Sequence, residues 1–416
     1  MKTGICIIGA GPAGLMAAIH AATGKAPAWV VEANAAAGRK LLLTGGGRCN
    51  FTHAAGPEEL AQAFGKAGRF LRHSLYELSP DDIREFFHAR GLADTVEPDG
   101  CVFPADRGAT DIRDILVDEA QKLGTHFQYR SRVRTIAADD EGFRIDTESR
   151  PVLAARLILA TGGVSWPQTG STGDGYGFAE QLGHTVVAPE PSLVPLVLRE
   201  TWARELAGIS LPDVRFWATV HGRKLATAGN MLFTQSGIGG PAVLDLSRLL
   251  ADELGQKDAG IDIGIDVLPG IDELQLDRRL QQECRTYPKK AIANILSELL
   301  PRQFARMVCC LARCDGDLQA GQLCAETRRR VVRMLKSLPL CVTGMEPIAK
   351  ATVTHGGVSR DEIDPRTMES KIRPGLFFAG EVIDLDGPCG GYNLQMCWST
   401  GALAGRSAAR SLLKST

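Results

Sequence analysis

No stretch of this 416-residue chain approaches the ~18 consecutive apolar residues of a membrane-spanning helix, and none of its eleven cysteines forms a C-x-x-C pair. The first absence excludes a membrane span as a partner-facing element. The second, with thiols scattered from Cys6 to Cys397, suits a reducing compartment, the cytoplasm, better than a disulfide scaffold. An excess of charge is missing too: the formal net charge is −1 with 23% charged residues, which gives no global reason to expect nucleic acid or membrane as partner. Length adds a bound of its own. At 416 residues the chain exceeds what one core normally supports, so two or three domains, or one large α/β fold with insertions, are expected.

The amino-terminal "MKTGICIIGAGPAGLMAAIHAA" has one lysine and an apolar stretch, as a secretory leader does, but Gly9, Gly11 and Gly14 break what would be its helical core. Read as structure, "GICIIG" suits a buried parallel strand, and "GPAGLMAAIHAATG" continues as an apolar helix ending at Gly24. Gly9-x-Gly11-x-x-Gly14 then sits at a strand-to-helix turn, the context in which this spacing binds a dinucleotide. Gly9 allows the tight turn, Gly11 lets backbone approach a pyrophosphate at the positive helix end, and Gly14 lets helix pack on strand. The next strand, "PAWVVEA", carries Glu32 about 20 residues on, where an acidic side chain accepts hydrogen bonds from an adenosine ribose.

Two further apolar strands end in glycine. "ARLILATGG" closes on Thr161, Gly162 and Gly163, and "GLFFAGEVIDLDG" runs through Gly380 and Glu381. Strands ending this way resemble the second and third signatures of flavoproteins of the glutathione-reductase-like group, which points to FAD rather than NAD. "LTGGGRCNFT" follows Glu32 at the distance where that group crosses its cofactor. Backbone at Gly45, Gly46 and Gly47 is expected against flavin or pyrophosphate, with Arg48 offering donors to a phosphate or substrate anion and Asn50 an amide to the ring edge. In "GPCGGYNLQMCWSTGALAG", Gly390 and Gly391 precede a helix beginning near Asn393 and Gln395. Its amide end is expected to face the flavin pyrimidine, where negative charge grows on reduction.

Together "GRKLLLTGGGRCNFT", "TGSTGDGYGFAEQLGH", "MLFTQSGIGGPAVLDLSR", "YPKKAIANILSELLP" and "GLFFAGEVIDLDGPCGGYNLQMCWSTGALAG" resemble the BaiN-like, aminoacetone-oxidase-like family of FAD-binding flavoproteins, in order and over nearly the whole chain. The resemblance implies an α/β fold: a Rossmann-like FAD-binding domain of the glutathione-reductase-like group from 1–191 and 346–416, a β-barrel-like insert from 192–270 and 338–345, and a helical insert from 271–337. "LVPLVLRETW", "VRFWATVHGRKLA" and "IDIGIDVLP" alternate like barrel strands, whereas 271–337 is strand-poor with prolines at helix starts. The resemblance also implies cofactor contacts at Pro12, Ala13, Ala33, Arg39, Lys40, Thr44, Cys49, Val133, Asp384 and Leu394. FAD is expected to be non-covalent, since no residue is marked for covalent linkage.

His53 and His355 stand where many relatives carry Asn and a small residue, and neither is assigned a catalytic role. Cys49 and Cys389 both fall in cofactor-facing loops, but at 340 residues apart they do not read as a reductase pair. Cys309, Cys310, Cys314 and Cys324 have no nearby His, and "FARMVCCLARC" reads as a helix with a sulfur-rich face rather than a metal site. Between 271 and 340 there are 13 Lys and Arg against 8 Asp and Glu, including Arg328, Arg329, Arg330, Arg333 and Lys336. That run reads first as a solvated helix face and second as a handle for RNA phosphates.

Three function classes follow. The first is an FAD-dependent oxidoreductase exchanging hydride with a small-molecule substrate held between the FAD domain and the barrel insert. No second free-standing G-x-G-x-x-G is present, so NAD(P)H would use the substrate space as a transient reductant, or oxygen would reoxidise the flavin. The second class is a uracil-reducing, RNA-modifying flavoenzyme, and the third a flavin-bound redox sensor without turnover. Substrate, catalytic residues and oligomeric state are not legible in the chain.

Overall fold

A computed structural model describes residues 1–26, 28–254 and 260–414, with Pro27 at the head of the expected "PAWVVEA" strand outside the described residues. The chain divides into two compact units, Met1–Pro191 with Ile348–Thr416, and Ser192–Pro347.

The first unit is organised by a parallel sheet. Strand β1 (Lys2–Ile8) leads through helix α1 (Pro12–Thr23) to strand β2 (Ala28–Val31), which pairs parallel to β1 with Ile5 opposite Ala28. Ile5, Cys6, Ile7, Val30 and Val31 are buried on both sheet faces, which is why these strands read as unbroken apolar runs. On the other side of β1 lies the strand Val152–Leu159, also parallel, with Ile8 opposite Leu159. His126–Gln128 extends the sheet beyond β2, and Leu376–Phe378 pairs parallel to the last residues of Val152–Leu159. The hairpin Val133–Ala138 and Phe143–Thr147 covers the opening residues of the same strand.

The chain therefore leaves β1 toward β2 on one side and returns to Val152–Leu159 on the other. That reversal is a topological switch point, and the crevice it opens lies beyond Ile8 and Leu159, at the carboxyl ends of the strands. The C-terminal helix Tyr392–Leu413 packs against α1 at close range. A Cβ added at Gly401 or Gly405 would lie 2.4 or 2.2 Å from the carbonyl oxygen of Ala13 or Ala17.

The second unit is a closed antiparallel barrel in the order Leu196–Leu198, Gly237–Gly239, Arg223–Phe233, Ser210–Val220, Ile261–Asp266, Leu338–Met345, closing on the first strand. Closure removes the sheet edges. The long hairpin Ser210–Val220 and Arg223–Phe233 turns on His221 and Gly222, both in the left-handed region at φ 48° and 77°, as a two-residue turn between twisted strands requires. "LVPLVLRETW" yields only the short strand Leu196–Leu198, because the chain turns through a short 3-10 segment at Thr201–Leu206. Between the last two barrel strands lie the helices Glu273–Thr286, Ile292–Leu296, Arg302–Leu311 and Ala325–Lys336. Asp272 and Gln275 form a reciprocal cap on the first, and Pro301 immediately precedes the third.

Candidate functional site

The three glycines of the β1–α1 turn are glycine for different reasons. Gly9 has φ +101°, and a Cβ there would stand 2.4 Å from the Ala160 carbonyl oxygen. At Gly14 a Cβ would stand 2.0 Å from the Gly9 carbonyl oxygen. Gly11 has an ordinary φ of −78°, and a Cβ there would find no atom within 4 Å. Neither backbone conformation nor packing requires glycine at position 11, which leaves its backbone open to close approach by a ligand. The helix start beside it carries no side-chain cap and no acidic residue in its first turn, so its leading amides and partial positive charge are uncommitted. This cradle fits the pyrophosphate of FAD.

A shallow cleft opens at the switch point, lined by Ile8, Gly9, Val31, Glu32, Ala33, Ser131, Arg132, Val133, Thr161, Gly170, Thr172, Asp174 and Phe178. It brings together Gly9, Glu32, Ala33, Val133 and Thr161 of the sequence reading. The buried Glu32 carboxylate accepts from the amides of Ala10 and Asn34 and from Asn34 Nδ2, each at 2.8 Å. A carboxylate has about four acceptor positions, so one remains for a hydroxyl. The Thr161 hydroxyl is buried without a hydrogen-bond partner. Ser131, Arg132, Thr172 and Asp174 were missed by sequence reasoning. "TGSTGDGYGFAEQLGH" contains two of them, but nothing in its spacing assigns a role.

At the edge of this region Lys40 Nζ donates to Ser165 Oγ at 2.6 Å and pairs with Glu381 at 2.7 Å. Glu381 also accepts from the Thr354 amide at 2.8 Å, so segments distant in the chain meet at one carboxylate. Gly162 is half-buried, while Gly163 and Gly380 are buried beneath this cluster. Arg39 is exposed and donates to Asn34 Oδ1 at 2.8 Å, outside the cluster. Asp384 is buried and pairs with Arg360 at 3.1 Å.

The loop "LTGGGRCNFT" holds Gly45, Gly46 and Gly47 at φ 56°, 65° and 92°, three consecutive left-handed residues. A Cβ at Gly46 or Gly47 would meet nothing within 4 Å, so here the backbone itself demands glycine. Arg48 pairs with Glu97 at 2.5 Å and lies over the Phe103 ring at 3.9 Å, a largely exposed pair. Asn50 Oδ1 accepts from the Val102 amide at 3.1 Å, and the Thr44 hydroxyl donates to the Leu41 carbonyl. Cys49 is fully buried and its thiol is pushed up to about 12 by that burial.

The helix Tyr392–Leu413 starts after Gly390 and Gly391, at φ 112° and 93°, again without side-chain cap or acidic first turn. No side chain caps its first turn, as at α1. The polar side chains of the first turn are bonded within the protein. Asn393 holds Gly387 and Pro388 through their backbone groups, and the fully buried Gln395 accepts from Thr52 and donates to Leu78 and Ser399. The side-chain amide of Gln395 is thus a framework group. Leu394 is half-buried beside it, Pro12 half-buried and Ala13 buried at the start of α1.

In the second unit the basic run is largely spent on its own fold. Arg328 binds Asp277 through two bonds at 2.8 and 3.0 Å, Arg330 donates to the Ala312 carbonyl, and Lys336 donates to the Leu268 and Ile271 carbonyls. Arg329 and Arg333 remain exposed. Among the described residues no group of His, Cys, Asp and Glu is arranged to hold a metal ion.

A family profile described as the HI0933-like protein Rossmann domain matches residues 3–407. The chain is 33% identical over 397 residues to the ribosomal RNA dihydrouridine synthase of Escherichia coli, covering 95% of each chain. It is 31% identical over 408 residues to the 3-dehydro-bile acid delta(4,6)-reductase of Clostridium scindens, covering 97% of this chain and 98% of that one. Among solved structures, a quinol fumarate reductase FrdA variant from Escherichia coli matches with a TM-score of 0.54 at 19% identity, over 100% of this chain and 71% of that chain. The 3-ketosteroid delta1-dehydrogenase of Sterolibacterium denitrificans matches with a TM-score of 0.53 at 12% identity, over 99% of this chain and 100% of that chain. At such identities the two structures speak to the fold alone.

Proposed function

The chain belongs to the HI0933-like family and is an FAD-dependent oxidoreductase, and on that premise we propose that it reduces a carbon–carbon double bond conjugated to a carbonyl group. The observation that carries the cofactor step is Gly11, whose missing side chain serves no atom of the protein. The reaction class is supported by the chemistry that the two relatives' names share: the uracil C5–C6 bond and a double bond in conjugation with a bile acid 3-ketone are both activated toward hydride at the β-carbon.

FAD, when bound, supplies the two-electron centre for that transfer. The protein's part is to hold the pyrophosphate at α1 and to set the uncapped amides of Gly391–Asn393 where negative charge is stabilised. A small conjugated ketone is the substrate class favoured here, with NAD(P)H as reductant, in a cytoplasm that keeps the free cysteines reduced. The test is direct. Purified protein should be yellow, release FAD on denaturation, and oxidise NADPH when 2-cyclohexen-1-one is added under anaerobic conditions. Oxygen uptake without any enone-dependent oxidation would replace this reading with an oxidase.

A second reading, RNA as substrate, is favoured by the exposed Arg278, Arg285, Lys289, Arg329 and Arg333 of the helical segment, which make no ion pair among the described residues. Retention on ribosomal RNA that weakens steeply with salt would support it.

A further inference from the structure

We propose that His355 is the proton donor of this reduction, positioned by Asp386, an inference that rests on the conjugated-carbonyl reading of the substrate. Chain order separates the two residues by 31 positions, and the fold joins them: Nδ1–H of His355 donates to Asp386 Oδ1 at 2.7 Å. His355 lies on the strand Val353–Val358. Its neighbour Thr354 donates its amide to Glu381, and its hydroxyl oxygen accepts from the amides of Val164 and Ser165 at 3.0 and 3.2 Å. The strand is thereby tied to the ends of the second and third glycine-terminated strands. Asp386 belongs to the segment that connects the Gly380–Glu381 turn with Gly390–Gly391 at the head of the last helix. Both ends of that segment are ones that the sequence assigns to the cofactor.

Exposure separates the two partners. The carboxylate side chain is 9% exposed and the imidazole 46%, an inner anchor and an accessible ring. With Nδ1–H committed to the carboxylate, the exchangeable proton is on Nε2, which makes no hydrogen bond among the described residues. The hydrogen bond to Asp386 raises the imidazole above its ordinary range against the effect of burial, and the charges of Asp386, Asp384 and Glu190 add to it. Glu190 comes from the paired strand Val186–Ser192, and Arg360 neutralises part of Asp384. The ring is therefore protonated at a pH where a free histidine is losing its charge.

The step balances. As the β-carbon takes a hydride, the α-carbon forms a bond to the Nε2 proton, the N–H electron pair stays on the ring, and the neutral imidazole regains a proton from solvent. Four other histidines of this unit are placed differently. His20 is buried and lowered to about 3, chiefly by that burial, and His184 is buried against Ser370. His53 is stacked on Tyr392 and donates to the Gly390 carbonyl, and His88 pairs with Asp94 beside a surface helix.

The experiment needs neither turnover nor the natural substrate. A phenolate mimics the enolate that awaits the proton, and stacked on oxidised flavin it gives a long-wavelength absorbance band. Phenol is titrated into the FAD-loaded protein, its His355→Gln and Asp386→Asn variants, across pH. The parent should bind with a band that grows as pH rises and levels off at the raised imidazole pKa, its pH limit, because phenolate beside imidazolium carries the same protons as phenol beside a neutral ring. His355→Gln should weaken phenol at least tenfold with unchanged FAD content, and Asp386→Asn should move the pH limit downward. Histidine proton NMR should show the same downward movement in Asp386→Asn, which a purely structural role would not produce. A parent that binds no phenol, or a His355→Gln variant that binds it as the parent does, overturns the proposal. A parent that carries no FAD fails earlier, by the colour and release measurement, and takes the functional reading with it.

Discussion

Two glycine-rich segments of the first unit look alike in sequence and differ in what makes them glycine. In the β1–α1 turn, Gly9 and Gly14 are enforced by carbonyl oxygens at 2.4 and 2.0 Å, while Gly11 has an unstrained backbone and open space. In the loop 41–50, Gly46 also faces open space, but at φ 65° its backbone is one that a side chain resists. Open space alone does not separate a ligand-facing glycine from a conformational one. The backbone angle does, and that contrast ranks the consequences of substitution.

The largest effect is expected at Gly14→Val. The added atoms collide with a backbone oxygen that cannot move without breaking the turn, so destabilisation on the order of 4 kcal/mol or more should leave little folded protein, read by soluble yield and thermal melting. Gly11→Val should come next in function while sparing the fold. Its far-ultraviolet circular dichroism and apoprotein melting should match the parent, with FAD affinity down on the order of 100-fold, about 2.7 kcal/mol. An apoprotein that melts well below the parent would erase the distinction between Gly11 and its neighbours.

Gly46→Val sharpens the other half of the comparison. A left-handed residue costs roughly 1–2 kcal/mol, more for a β-branched one, so the variant should melt a few degrees lower. Asn tolerates that conformation, and Gly46→Asn should restore stability. If both variants lose FAD equally, the space beyond Gly46 is cofactor space. The smallest effect is expected at Arg48→Ala. Its pair with Glu97 is largely exposed and its stacking on Phe103 modest, so the loss should stay within about 1 kcal/mol of stability. A tenfold weakening of FAD in that variant would mean that the guanidinium leaves Glu97 for the cofactor.

Legibility followed the range of the interactions. The β1–α1–β2 unit was readable because its elements are contiguous and each glycine reports a local constraint. Arg48, Cys49 and Gln395 were assigned by proximity to readable loops. Their partners, Glu97, the surrounding core and Leu78, come from distant segments that no spacing rule supplies. The basic run was legible as charge but not as architecture, since Arg328 and Lys336 are consumed by Asp277 and by carbonyls of Leu268 and Ile271.

Sequence by itself determined the parallel strands, the helix that follows the first of them, the acidic residue at the end of β2, and hence a dinucleotide at the switch point. Each depends on residues within a few positions of one another, where periodicity and φ preference act directly. Only the tertiary structure decided which glycine has no reason within the protein, which polar side chains are framework, and that His355 meets Asp386. Those facts turn on what stands within hydrogen-bond distance after folding, and chain separation carries no record of it.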